Sequence, residues 1–228
     1  MIITVASYNI HRGAGLDRCV NLERIAEVLG EVGADLAGLQ EVFLPQAELL
    51  ADRLGMGLAM GPTKTAGRLP YGNAVLTRLP ILNSHTFDLS WARREPRGGI
   101  RLDVPLRDRL VHVFNVHFGL KVRERADQVR TLVGEHILRD DLTGHRILIG
   151  DLNEWYPGPV GRLLRRELHG PGMRRTHPAP IPLFPLDRIY WDHDLVCEGF
   201  YVHRSRLARV ASDHLPVVAR LRLADQRD

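Results

Sequence analysis

Four successive stretches between Gly72 and Phe118, GNAVLTRL, PILNSHTFDL, GGIRLDVPL and LVHVFNVHF, alternate side-chain character with a period near two. Alternation of that kind sends neighbouring side chains to opposite faces of a strand. A chain with four such runs in a row must therefore build a sheet and cover it. Arg107–Asp108 sits between the last two runs as a two-residue hairpin turn would.

The flanking segments supply the cover. A β-branched run from Ile2 to Tyr8 ends at Asn9 and a loop containing Gly13 and Gly15. Asn21 stands at an N-cap position before LERIAEVLGEVG, where Leu22, Ile25, Val28 and Leu29 recur at helical spacing. DLAGLQEV reads as a short buried strand, and a helix is expected from Pro45 to about Leu54. Beyond the alternating runs, a polar helix is expected over Val122–Leu138 with Ala126, Val129, Leu132 and Val133 on one face. The strand RILIG then enters DLNEW, a helix runs from Pro159 through Leu168, and DRIYW, LVCEGFYV and LPVVARLRL close the chain as strands. Two halves of similar make-up imply two sheets packed face to face with helices outside, in a single α/β domain over residues 1–228.

Composition narrows the class. The chain is 44% hydrophobic and 25% charged, enough to bury a full core, and no run reaches the roughly 18 apolar residues of a membrane span. A net charge of +4 invites a polyanionic partner. Only Lys64 and Lys121 are lysines, so a GC-rich genome would account for the arginine-heavy balance equally well. Cys19 and Cys197 are too few for a disulfide framework or a thiolate zinc site. MIITVASYNI lacks the basic and long apolar regions of a leader, so a cytoplasmic protein is expected.

The residues with useful chemistry fall at strand ends and in loops: Asn9, Glu41, His117, Asp151, Asn153, Asp187, Asp213 and His214. Each has an ordinary alternative. A turn would explain Asn9, an Asx-turn would explain GDLN, and a cap or turn would explain SDHLP. As a set they are more specific. Asn and carboxylate oxygens suit Mg²⁺ or Mn²⁺, whereas the histidines lack zinc-site spacing. A histidine with aspartate partners adds acid–base capacity near neutral pH. Asp151 and Asn153, two residues apart in an extended segment, face one side and can flank a common ligand.

In order, the chain reads SYNIHRG, LQEV, GNAVLTRLPI, NVHFGL, GDLNEW, LDRIY and SDHLPV. From about residue 4 to 222 it resembles the endonuclease/exonuclease/phosphatase superfamily, the fold of pancreatic deoxyribonuclease and neutral sphingomyelinases, and within it the compact, stand-alone bacterial members. The resemblance implies a four-layer α/β sandwich and a Mg²⁺-dependent phosphoesterase, with Mn²⁺ as an alternative ion. It implies that Asn9 and Glu41 hold the metal, with Asp213 contributing directly or through water. Asp151 and Asn153 would orient the attacking water and the phosphate. His214 would meet the scissile phosphate with Asp187 fixing its tautomer, and Asp151 and His214 together would activate the water. His117 would stabilise the phosphoryl oxygens or protonate the leaving group. The segment RREP resembles a deoxyribonuclease loop near substrate phosphate, which would place Arg94 there; a solvated charge explains it as well.

Abasic-site endonucleases usually carry asparagine where this chain has His117, so it departs from that branch. Substrate choice stays open between nucleic acid and a phospholipid headgroup or other small phosphoester, and a phosphate-binding module without turnover is the third alternative. His85, His112, His136, His145, His169 and His203 have no motif partners and are assigned to surface or core. His11 and His177 fall in loops near the expected mouth, while Asp192 and Asp194 around His193 fit a turn.

Overall fold

The computed structural model describes residues 2–137 and 142–224. The strands are β1 (Ile2–Asn9), β2 (Leu36–Phe43), β3 (Gly57–Ala66), β4 (Leu69–Thr77), β5 (Asn83–Asp88), β6 (Gly98–Leu106), β7 (Arg109–His117), β8 (His145–Asp151), β9 (Asp187–Trp191), β10 (Leu195–Val202) and β11 (Val217–Leu223). The helices are α1 (Leu22–Val32), α2 (Leu44–Leu54), α3 (Val122–Thr131), α4 (Pro159–Glu167) and the short α5 (Ala208–Ala211). One sheet has the order β10-β11-β1-β2-β4-β3 and the other β5-β6-β7-β8-β9. The pairs β1/β2 and β7/β8 are parallel and the remaining pairs antiparallel, so both sheets are mixed.

Three apolar layers make this a four-layer α/β sandwich. Between the sheets, Ile3, Val5, Leu36 and Val217 meet Val104, Val113, Ile147 and Ile189. The outer face of the first sheet packs Ala6, Tyr8 and Leu39 against Ile25, Val28 and Leu29 of α1 and Leu50 of α2. The outer face of the second packs Phe114, Val116 and Leu148 against Val129 of α3 and Val160 and Leu164 of α4. Asn21 caps α1 by accepting the Arg24 N–H at 3.2 Å, and Gly33 ends it at φ 63°. Arg107–Asp108 does join β6 to β7, with Arg107 at φ 57°.

The expected elements differ from these in three places. GLAMGPTKTA forms β3, which the period-two pattern did not reveal. It is an edge strand bonded only to β4, with a register shift between Pro62 and Lys64. An edge tolerates the Gly and Pro that make this stretch look like a loop. The polar helix stays α-helical only to Thr131 and continues as a π-helical turn over Leu132–Ile137; its expected end at Leu138 lies outside the described residues. Cys19 and Cys197 are both free thiols. Among the described residues no helix is long and apolar enough to cross a membrane.

Side-chain alternation also creates a polarity gradient along the inner faces. Down β1 the inward row is Ile3, Val5, Ser7, Asn9; down β7 it is Val111, Val113, Asn115, His117; down β8 it is Ile147, Ile149, Asp151. All three become polar at the same end of the sandwich. Below that end a polar bridge joins the sheets. Gln40 Nε2 donates to Asn115 Oδ1 at 2.7 Å, and Asn115 Nδ2 donates to the carbonyls of Leu39 at 3.0 Å and Ala74 at 2.8 Å. These carbonyls lie where the β2/β4 ladder breaks at a bulge between Leu39 and Val42. Asn115→Leu should leave Gln40 and both carbonyls buried without that partner, at a cost of about 1–3 kcal/mol. Urea unfolding of the variant beside wild type measures the loss; unchanged stability would mean the bridge is not a structural constraint.

Candidate active site

At the polar end of the sandwich the two sheets contribute facing side chains. Asp151, 1% exposed at the end of β8, is the centre of the cluster. Asn9 Nδ2 donates to Asp151 Oδ2 at 3.0 Å and to Glu41 Oε1 at 3.2 Å. The Asp151 Oδ1 atom accepts the Asn153 N–H at 2.9 Å, and Tyr71 Oη donates to Glu41 Oε2 at 3.2 Å. His117 Nε2 and His214 Nε2 lie 3.6 and 3.8 Å from Asp151 Oδ2.

Backbone conformation aims two of these groups. Glu41 and Asn153 have φ of 55° and 49°, in the left-handed region that costs most non-glycine residues. The β2 bulge frees Glu41 from strict alternation: Leu39 and Val42 both face the helices, and Glu41 turns to the end of the sandwich. Asn153 turns so that Nδ2 meets the Phe118 carbonyl at 2.9 Å and His117 Nε2 at 3.2 Å.

The two histidines have opposite surroundings. His214 Nδ1 is 2.8 Å from Asp187 Oδ2, which also accepts from Thr176 Oγ1 at 2.5 Å. Burial alone would lower the His214 pKa; Asp187 above all, then Asp151 and Asp213, push it up to about 10. Burial, and then the Arg97 guanidinium 3.2 Å from Nδ1, lower His117 to about 3 despite Asp151. One imidazole is held cationic and the other neutral. Asp213 lies 3.7 Å from His11 and 3.8 Å from His177. Burial opposes its ionisation, yet the His177 hydrogen bond and the neighbouring His214 and His11 hold it at about 2.

The structure thus gathers Asn9, Glu41, His117, Asp151, Asn153, Asp187, Asp213 and His214 at one end of the sandwich, with His11 and His177 beside them. Arg94 is not among them. It stands on an exposed turn and lines a neighbouring depression with Glu95, Arg97, Lys121 and Glu124. The arginine that touches the cluster is Arg97. Sequence reasoning also passed over Tyr71 and Thr176, which support Glu41 and Asp187 from a strand end and a long loop; only their adjacency in space marks them. His112 is buried against Asp103 at 2.6 Å, His203 pairs with Glu31, and Asp192 pairs with Arg146.

Donor chemistry fits a hard divalent cation. Glu41 and Asp151 converge on one Asn9 nitrogen, and among the described residues neither has an arginine or lysine ion-pair partner. Asn9 turns its amide nitrogen to these carboxylates, while its oxygen accepts the His11 N–H at 3.0 Å. Asp213 is engaged by histidines. Two further groups have three ligand-type atoms within 4.8 Å of one another, His177/Asp213/His214 and Asp151/Asp187/His214. The histidine they share, His214, is already bonded to Asp187 through Nδ1, which leaves the Glu41 side the better match for an oxygen-seeking ion.

Inward-facing carboxylates, amides and histidines at one end of a two-sheet α/β sandwich belong to a phosphoesterase- and nuclease-like fold. Residues 6–214 match the Endonuclease/Exonuclease/phosphatase family, and the chain belongs to that family. Over 96% of both chains it is 30% identical to a relative named Uncharacterized protein YbhP from Escherichia coli strain K12. The catalytic domain of human Nocturnin, solved with a bound sulfate anion, shares the fold with a TM-score of 0.81 and 19% identity, covering 98% of this chain and 94% of that one. A mannosyl-6-phosphatase of Bacteroides thetaiotaomicron gives a TM-score of 0.79 and 20% identity over 97% of this chain and 100% of that one.

Without a cation, Asn9 is the neutral group that separates two carboxylates. Asn9→Ala should lower the melting temperature in chelator, consistent with losing about 1–3 kcal/mol. Added Mn²⁺ should raise the wild-type melting temperature by linkage, and Glu41→Gln should shrink that rise. Equal Mn²⁺ shifts in wild type and Glu41→Gln would remove Glu41 from the metal site.

Proposed function

We propose that this chain, acting as a single domain, is a Mg²⁺- or Mn²⁺-dependent phosphodiesterase that uses water to cleave a P–O bond. The observation that carries the proposal is the Asp151 carboxylate, buried between two histidines and tied through Asn9 to Glu41. Glu41 holds the cation, with Asp151 and Asp213 in reserve as direct or water-mediated ligands, and Asn9 keeps the two carboxylates in place. A bound divalent ion would supply Lewis-acid polarisation of a phosphoryl oxygen.

The chain's own groups do the rest. Asp151 and His214 together activate the attacking water: Asp151 orients it and takes its proton, while His214, held cationic, donates to the oxygen on which negative charge develops. Asp187, braced by Thr176, fixes the His214 ring so that Nε2 faces Asp151. Asn153 and His117, adjacent and buried, stabilise the phosphoryl oxygens as charge develops, and His117, held neutral, acts there by hydrogen bonding and not as the acid for a leaving group.

A nucleic-acid substrate accords with the net charge of +4 and with arginine's fit to phosphate. A lipid headgroup or small phosphoester is favoured by a different observation: Leu120, Val122, Trp155 and Tyr156, in the segments just after His117 and Asn153, are 62%, 60%, 45% and 70% exposed. Aromatic and aliphatic side chains around a phosphoesterase mouth suit an amphiphilic surface. The free Cys19 and Cys197 thiols accord with a cytoplasmic setting.

The test is a metal-supplemented panel of supercoiled plasmid, RNA, phospholipid bilayers, a chromogenic phosphodiester and phosphomonoesters. No turnover on any of them would favour the phosphate-binding module. On the best substrate, His214→Ala should lose roughly 10²–10⁴ in rate and gain nothing from extra metal. Glu41→Gln should be partly rescued by raising Mg²⁺ or Mn²⁺, because an amide still offers an oxygen with less charge. Identical metal responses would overturn the division between ligand and catalytic histidine.

A further inference from the structure

A cleft of about 260 Å³ opens beside Glu41, walled by Arg12, Lys64, Tyr71, Glu95 and Arg97, with Phe43 at its edge. We infer that this cleft is a subsite for a second anionic group, a phosphate carried by the same substrate a short distance from the scissile one. The inference rests on the hydrolase proposal for the identity of the neighbouring site, and its binding test does not depend on turnover.

Charge is the first argument. Three cationic side chains line the cleft against two carboxylates. Glu95 is shared by Lys64 and Arg97, so one anion serves two cations. The Arg12 guanidinium contacts His11 Nε2 at 3.0 Å and, among the described residues, meets no carboxylate. Glu41 already accepts from Asn9 and Tyr71, and a metal ion would take up its charge. The cleft is therefore short of negative charge, and guanidinium and ammonium donors are matched to phosphate oxygens.

Position is the second. At one side stands Glu41; at the other Arg97 bonds Glu95 with one terminal nitrogen and reaches His117 with the other. Arg97 Nε is buried with no partner in the protein. A group in the cleft is thus adjacent to both ends of the catalytic cluster. Its volume lies below the roughly 300–1,000 Å³ of drug-sized sites, which suits one phosphorylated unit. Phe43 and Tyr71, with ring centroids 5.1 Å apart, supply an apolar wall, and Lys64 Nζ lies 5.0 Å from the Tyr71 ring centre.

Conformation is the third. His11 and Arg12 have φ of 45° and 59°, an uncommon conformation for side chains of this size. The turn is nevertheless fixed. Gly13 N–H bonds the Ile10 carbonyl at 2.7 Å, and Gln46 Nε2 bonds the Arg12 carbonyl at 2.7 Å. Strain retained next to a cluster of functional groups is the pattern of a ligand clamp. Here it brings an arginine to the cleft.

Calorimetry on the full chain with Mg²⁺ tests the subsite with two probe pairs: thymidine 5′-monophosphate against thymidine 3′,5′-bisphosphate, and glucose 6-phosphate against glucose 1,6-bisphosphate. At least one bisphosphate should bind about tenfold more tightly than its monophosphate, as expected for one added charge-assisted contact. A thymidine gap identifies the neighbouring phosphate of a nucleic acid; a glucose gap identifies a small bisphosphate. Arg12→Gly, which keeps the backbone conformation, and Lys64→Ala should each reduce the gap towards parity. Equal binding within both pairs, or a gap untouched by both substitutions, would overturn the subsite. Cleavage of a panel diester with no gap leaves the hydrolase standing without the subsite; a gap without turnover on any panel substrate retains the subsite and removes the hydrolase.

Discussion

Burying Asp151 is the demand around which the rest of this end of the molecule is arranged. A carboxylate with 1% exposure loses nearly all its hydration and must recover that stabilisation from fixed groups. Here it does so without an arginine or lysine: an amide from the opposite sheet, a backbone N–H two residues on, and two imidazoles at 3.6 and 3.8 Å. His214, raised chiefly by Asp187 and then by Asp151, is the one cationic neighbour among these groups.

The contacts also require the two sheets to meet at a fixed distance, because Asn9 belongs to one and Asp151 to the other. Gly38 makes this approach feasible. A Cβ there would fall 2.3 Å from Ile149 Cδ1 and 3.0 Å from Asn115 Cγ, so any side chain would force the strands apart beneath the site. Asn115 fits the same gap and satisfies carbonyls at the β2/β4 bulge from across the interface. The bulge that directs Glu41 outward and the amide that makes its broken ladder tolerable therefore belong together.

What could be seen in the sequence follows from which features are periodic. Counting by two from buried Val5, Val113 and Ile147 arrives at Asn9, His117 and Asp151, so their common face was legible once strands were assigned. Asp187 follows by the same step from Ile189. Glu41 breaks the count: only an extra residue in β2 puts it there, and bulges leave no mark in composition. Arg97, Tyr71 and Thr176 act through partners 20, 30 and 11 residues away, a separation no local pattern encodes. Arg94 attracted notice through a motif, yet it is exposed, and the arginine in contact with His117 is Arg97. The edge strand β3 was hidden for a related reason, since an edge needs no two-sided apolar pattern to pair.

The contrast between the two histidines is the consequence of asymmetry in what surrounds a symmetrical pair. Both rings lie within 4 Å of the same Asp151 oxygen. His214 has a second carboxylate, Asp187, on its far nitrogen, whereas His117 has a guanidinium beside its ring, with one Arg97 nitrogen 3.2 Å from Nδ1 and 3.4 Å from Nε2. One ring is thereby cationic and the other neutral, a separation that one uniform environment cannot provide. Arg97 thus has two neighbours of consequence, since the guanidinium that adds to burial in keeping His117 neutral also walls the cleft beside Glu41. An anion in that cleft would draw on Arg97, and its arrival would be felt at His117 through a single shared side chain.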